Sequence, residues 1–185
     1  MLAVEKKKKY TVADYMLLEE GAPFQLINYD LVMSPSPLLI HQLILGEFYD
    51  TLKAFIKANK NKGMAVLPPM DIHFDNGNVY QPDLIFISEG RIPEIAKERI
   101  MGAPDLVVEI LSPSNAYYDL RQKKDVYEKY GVEEYIIVDP IAQNVELYAL
   151  KDGFYYLHQK AQKGEYLDSL VLPGLSFDMN EIFPY

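Results

Sequence analysis

Asp105-Leu106-Val107-Val108-Glu109-Ile110-Leu111-Ser112 is the most strand-like stretch of the chain, and the fold is read outward from it. Alternation puts Val107, Glu109 and Leu111 on one face and Leu106, Val108 and Ile110 on the other. Both faces are largely apolar, the pattern of a strand covered on both sides. A lone carboxylate in the middle of such a strand is at least partly buried, and leaving it unpaired costs several kcal/mol. Glu109 therefore needs a cation, a hydrogen-bonding partner or a raised pKa. A salt bridge to a nearby helix lysine and a metal site meet that need equally well on the strand pattern alone.

Residues 117–130 read as an amphipathic helix stopped by Gly131. Residues 83–88 form another apolar strand, entered through Gln81-Pro82-Asp83, where the proline disfavours helix for Gln81 and restricts strand entry. Upstream, Thr11 caps a first helix over 11–20, ended by Gly21-Ala22-Pro23. Segments 24–28 and 31–34 read as a hairpin with its tight turn at Tyr29-Asp30, and 38–60 as a long helix. Strands at 64–67 and 70–74 are closed by the turn signal Asp75-Asn76-Gly77-Asn78. Residues 91–103 are irregular or partly helical and cover something. Strands at 134–139, 145–150 and 155–159 follow, with turns at Pro140 and Asp152-Gly153. This order describes an α/β (α+β) fold with a central mixed β-sheet flanked by helices.

No repeat or composition break divides the chain, so the expected organisation is one domain over 10–185 behind a flexible basic tail over 1–9. The apolar end, 177–185, is expected to dock on the same chain or on a partner. With 185 residues, 49% hydrophobic and 24% charged, the chain has the balance of a soluble globular protein. No apolar run approaches the roughly twenty residues of a membrane span, so no membrane partner is expected. The lysines at 6–9 have no apolar stretch after them, which argues against a signal peptide. The absence of cysteine excludes disulfides and thiolate metal sites and fits a reducing, cytoplasmic setting.

The net charge of −9 argues against a simple nucleic-acid-binding module, because phosphate contacts need clustered Lys and Arg. It leaves room for an enzyme that approaches nucleic acid through a bound cation and a few basic side chains. Arg121, Lys123 and Lys124 are candidates for such a patch, with the lysine tail as a second one or simply a solvated end.

Asp83 begins an apolar strand, as many turn aspartates do. If that strand neighbours the Glu109 strand, both carboxylates project toward one point, an arrangement suited to Mg²⁺ or Mn²⁺. Asp119, Lys123 and Tyr127 recur at intervals of four and share one helix face. That face can point back at the carboxylates, where Lys123 would stabilise an attacking water or charge on a phosphate. The competing reading is an ordinary surface Asp–Lys pair with a tyrosine packed below. His41 on the long helix either orients phosphate or water or is a satisfied structural histidine.

Three blocks carry a family resemblance: Gln81-Pro82-Asp83; Pro104-Asp105-Leu106-Val107-Val108-Glu109-Ile110-Leu111-Ser112-Pro113-Ser114; and Asp119-x3-Lys123-x3-Tyr127-x3-Gly131-Val132-x-Glu134-Tyr135-x2-Val138-Asp139-Pro140. Leu26-Ile27-x3-Leu31-Val32-Met33-Ser34-Pro35 and His41-Gln42 add to it. In this order they resemble the Uma-type (DUF820-type) family of bacterial, notably cyanobacterial, endonucleases within the PD-(D/E)xK superfamily. The resemblance covers roughly residues 10–150. It implies a restriction-endonuclease-like fold, Asp83 and Glu109 as metal and catalytic residues, and Lys123 as the catalytic lysine. In the wider superfamily that lysine stands two residues after the Glu, where this chain has Leu111. The resemblance implies that the function has moved to the following helix. The family also usually has a Glu where Gln25 stands and a Gly-Glu pair where Tyr29-Asp30 stands. Gln25 supplies an amide oxygen but no negative charge.

The expected function is hydrolysis of DNA phosphodiester bonds with Mg²⁺ or Mn²⁺, by a homodimer if both strands are cut. The alternative is a catalytically degenerate nuclease fold serving as a nucleic-acid or protein binding module. A glycosidase working by paired carboxylates is allowed by the fifteen tyrosines, but no motif recommends it.

Overall fold

The computed structural model describes residues 8–34, 36–59, 63–112 and 118–183, and of 118–120 the backbone alone. The chain opens with α1 (Val12–Tyr15), β1 (Phe24–Ile27), β2 (Asp30–Met33) and α2 (Leu39–Ala58). It continues through β3 (Met64–Val66), β4 (Ile72–Asp75), β5 (Asn78–Tyr80), β6 (Leu84–Ile87), α3 (Ile92–Ile95) and β7 (Ile100–Met101). Then come β8 (Leu106–Ile110), α4 (Tyr118–Tyr130), β9 (Glu134–Asp139), β10 (Asn144–Lys151) and β11 (Phe154–Gln162). The chain closes with β12 (Tyr166–Asp168), β13 (Ser176–Asp178) and α5 (Met179–Ile182).

The expected central strand is central. β8 lies inside a six-stranded sheet in the order β11-β10-β9-β8-β6-β3. β8 and β9 run parallel, which requires a crossover, and α4 supplies it. The other pairs are antiparallel, so the sheet is mixed. Every residue of β8 is buried, as its two apolar faces demand. Leu106, Val108 and Ile110 pack with Ile44, Leu45, Phe48 and Leu52 of α2. Val107, on the opposite face, packs with Val126 and Tyr127 of α4 and with Tyr135. Gly131 ends α4 in the left-handed region (φ 85°), and its N–H and that of Val132 both return to the Tyr127 carbonyl.

A second, five-stranded sheet in the order β2-β1-β5-β4-β7 was not anticipated. Its strands are two to four residues long, too short for alternation to register. The 91–103 stretch supplies α3 and β7 to it. The turn signal at 75–78 does close a hairpin, but β5 starts at its last residue and pairs with both β4 and β1. Gly77 is required there, because a Cβ would stand 2.6 Å from the Tyr29 ring. The β1–β2 turn falls one residue earlier than expected, at Asn28 and Tyr29, whose φ values of 49° and 67° are those of a tight two-residue hairpin.

The first helix has the expected cap, with Thr11 and Asp14 bonding reciprocally, but ends at Tyr15 rather than near 20. Met16 and Leu17 beyond it are exposed, and Leu18 is the next residue to pack on the cluster of Tyr15, Leu26 and Val79. The apolar end docks on its own chain. The Phe177 ring sits 4.8 Å from that of Phe48, and Met179, Ile182 and Phe183 join the α2 core. Residues 184–185, like 1–7 of the expected tail, lie outside the described residues. Among the described residues, no helix is long and apolar enough to cross a membrane.

Candidate functional site

Antiparallel pairing of β6 with β8 matches Leu84 to Val108 and Ile85 to Val107. One step further along that register, Asp83 stands opposite Glu109. The Asp83 carboxylate turns toward β8 and accepts the Ile110 N–H on Oδ2 at 2.8 Å. His41, in the first turn of α2, brings Nε2 to 3.1 Å from the same oxygen. Its Nδ1 is buried and has no hydrogen-bond partner among the described residues.

Glu109 is reached from the other side of the sheet. Because α4 follows β8 directly and lies over this face, side chains four residues apart on it converge on one point. Lys123 Nζ donates to both Glu109 oxygens, at 2.9 Å to Oε1 and 3.0 Å to Oε2. The Tyr127 hydroxyl donates to Oε1 at 2.6 Å. Glu109 is 6% exposed and Lys123 7%, so this is a buried ion pair and not the surface pair of the competing reading. Burial pushes the Glu109 carboxyl up, and the Asp83 charge adds to the rise against the pull of Lys123 and Tyr127. Burial and the neighbouring Glu109 charge push the Tyr127 phenol well up, so it stays protonated and a donor.

Asp119 falls on the same helix face, but its side chain lies outside the described residues. The expected basic patch is corrected. Lys123 points inward to Glu109, Lys124 lies over the Tyr148 ring at 3.4 Å, and only Arg121 of the three is exposed. Leu111, where the resemblance expects the superfamily's lysine, pairs its N–H with the Val138 carbonyl.

Gln25 does not offer its amide oxygen to a cation. Oε1 accepts the Gln81 N–H at 2.9 Å and Nε2 donates to Ser34 Oγ at 2.7 Å. Gln25 thereby clamps the backbone that leads into Pro82 and Asp83. A glutamate there could keep both bonds, with Ser34 donating instead of accepting. The Gln81 side chain, which sequence reasoning passed over, donates to Asp71 Oδ1 at 2.9 Å. Tyr135 was missed as well. It lies on the Glu109 face of β9, with its ring 5.1 Å from Tyr127 and its buried hydroxyl unpartnered among the described residues. Alternation along 134–139 and the position before Ile136 were the available signal. Asp105 is spent structurally on the Ser88 N–H and hydroxyl and on Arg91.

Asp83 and Glu109 are hard oxygen donors, and together they carry one more charge than Lys123 balances when His41 is neutral. That imbalance fits a divalent cation. Among the described residues no three His, Cys, Asp or Glu side chains form a metal cage. Two carboxylates therefore fit an ion such as Mg²⁺ that keeps several waters, rather than a closed protein site.

A family model described as "Putative restriction endonuclease", Uma2, matches residues 12–180. The chain belongs to the Uma2 family. Among curated proteins no sequence relative is found. Among solved structures, the chain is similar to a crystal structure described as "a putative nuclease belonging to DUF820 from Anabaena variabilis ATCC 29413". The two share 21% identity with a TM-score of 0.79, over 94% of this chain and 97% of the other. That likeness shows the fold, with mixed sheets and a few flanking helices, to be the one the Uma2 resemblance implies.

Proposed function

We propose that this Uma2 chain is a metal-dependent endonuclease that hydrolyses DNA phosphodiester bonds, with Asp83 and Glu109 holding Mg²⁺ or Mn²⁺ and Lys123 as the catalytic lysine. The observation that carries this reading is the convergence of Glu109 of β8 with Lys123 and Tyr127 of α4, beside Asp83 at the entry to β6. A bound divalent ion would supply charge neutralisation at the phosphate and a water of lowered pKa. The remaining work falls to the chain. The Ile110 N–H and His41 fix one Asp83 oxygen, which leaves the carboxylate oriented. Tyr127, itself fully buried, fixes Glu109 by its hydroxyl. Lys123 holds an ammonium inside the site, where it can donate to charge developing on a phosphate oxygen.

In a plasmid-nicking assay, the wild type is expected to cleave with Mg²⁺ or Mn²⁺ and to stop with EDTA. Asp83→Ala and Glu109→Ala are expected to lose at least 100-fold in rate, on the order of the loss of a key electrostatic group. Undiminished cleavage by both variants overturns the reading. The alternative of a degenerate binding fold rests on the Gln25 change and on the acidic net charge of −9; of these, Gln25 is engaged with the Gln81 backbone. A folded protein that gives no heat with either ion would favour that alternative. One site per chain cuts both strands only if two copies act together, so we also propose a homodimer. Light scattering is expected to give twice the 21.3 kDa of one chain, and a monomer's mass would exclude it.

A further inference from the structure

Lys123 does more at Glu109 than its place in a helix requires. Its Nζ stands nearly equidistant from both carboxylate oxygens, at 2.9 and 3.0 Å, on the line a cation takes when it binds a carboxylate symmetrically. Tyr127 takes a further position on Oε1. Glu109 thus meets three donor contacts without any ion, and all of them are buried. Among the described residues no ammonium pairs with Asp83, which is held by a backbone N–H and an imidazole.

We propose that Lys123 is the resident cation of Glu109 and competes with the divalent ion for that carboxylate, so that metal entry moves the ammonium off Glu109 and toward the phosphate. This rests on Asp83 and Glu109 being the metal-binding pair. The charge balance favours such an exchange. Two carboxylates and one ammonium leave a net negative site that draws a divalent ion in. Once the ion is bound, the same groups are net positive by one charge, matched to one phosphodiester. The displaced ammonium is already inside the site and needs only to change partner. Lys123 therefore has two effects of opposite sign: it weakens metal binding in the free protein and supplies the cation that the substrate needs.

The test is calorimetric titration of the full chain with Mn²⁺, comparing wild type with Lys123→Met, Lys123→Gln and Lys123→Arg, each checked for fold by circular dichroism. Lys123→Met and Lys123→Gln are expected to bind Mn²⁺ at least tenfold more tightly than wild type. Lys123→Arg, which keeps the competing charge, is expected to stay within about threefold of it. Lys123→Met leaves Glu109 buried without its counter-ion, so its Tm is expected to be low without metal and to rise with Mn²⁺ by more than the wild type's does. If Lys123→Met fails to fold without metal, Lys123→Gln, which keeps a neutral donor over Glu109, carries the comparison. Equal or weaker Mn²⁺ binding by the folded Met and Gln variants, with the wild type binding, overturns the competition and leaves the metal pair standing. Absence of Mn²⁺ binding by every folded form overturns the metal pair itself, and this inference with it.

Discussion

Lys123 and Tyr127 meet one carboxylate from successive turns of a single helix, and the two contacts differ in what their loss does. Tyr127→Phe removes only the hydroxyl donor and keeps a ring of the same shape among Tyr80, Phe74 and Tyr135. A hydrogen bond to a charged group is worth about 1.5–3 kcal/mol, and Glu109 keeps Lys123. Urea denaturation of Tyr127→Phe is therefore expected to show a loss of about 2 kcal/mol. An unchanged midpoint would mean that the phenol contributes nothing to Glu109. Removing one partner of a buried pair costs more, about 3–5 kcal/mol, which makes Lys123→Met the harsher change. Tyr29 illustrates a different residue-scale cost. It holds a left-handed φ of 67°, a region costly for a residue with a Cβ, and its ring packs over Gly77.

Each face of β8 is covered by an element from a different part of the chain, and the cover on the α2 face is tied down by residues outside the site. On the α2 face the C-terminal segment closes the core through Phe177 against Phe48. Phe177 is fully buried, and phenylalanine to alanine in such a place costs about 3–5 kcal/mol. Phe177→Ala is expected to lower stability by that amount in chemical denaturation, and a loss below about 1 kcal/mol would show that the segment adds little to the core. Glu134 at the start of β9 has a related task. Its Oε2 accepts from the Ser169 hydroxyl and from the Leu170 and Val171 N–H groups, which holds the turn leading into that segment. Burial pushes its carboxyl up, against the pull of those donors. Nothing in the local pattern of 134–139 distinguishes it from an exposed strand-start glutamate.

Across the whole molecule, Asp71 links segments far apart in sequence. Tyr15 of α1 donates to it at 2.9 Å, Gln81 before β6 at 2.9 Å, and Arg99 before β7 pairs with it. Burial works against its ionisation, but His73 with Nε2 at 3.8 Å, hydrogen bonds from Gln81 and Tyr15 and the Arg99 charge outweigh it and hold the carboxyl at about 2. A carboxylate lowered on folding contributes stability that is complete above the unfolded value near 4 and is lost as pH falls toward 2. The contribution at neutral pH is on the order of 2 kcal/mol. Asp71→Asn is expected to have a lower Tm than wild type at pH 7, and the gap is expected to close between pH 4 and 2. A constant gap across that range would show that ionisation of Asp71 is not what stabilises the junction.

The residue sequence by itself determined the kind of the longer elements and the faces that β8 and α4 bury. The two apolar sides of 106–110 announced a strand covered twice, and the four-residue spacing of Lys123 and Tyr127 put both on one helix face. The ordered motifs carried the family, and with it the nomination of Asp83, Glu109 and Lys123. Tertiary structure alone decided which groups meet. The β6–β8 register sets Asp83 opposite Glu109, α4 turns Lys123 inward, and α2 brings His41 from more than forty residues upstream to Asp83. It also spent Gln25 on the Gln81 backbone and assembled a second sheet from strands too short to show a period. The physical reason is one of range. Periodicity acts between neighbours a turn or a pleat apart, whereas register and packing are settled by surfaces that come together only when the chain folds.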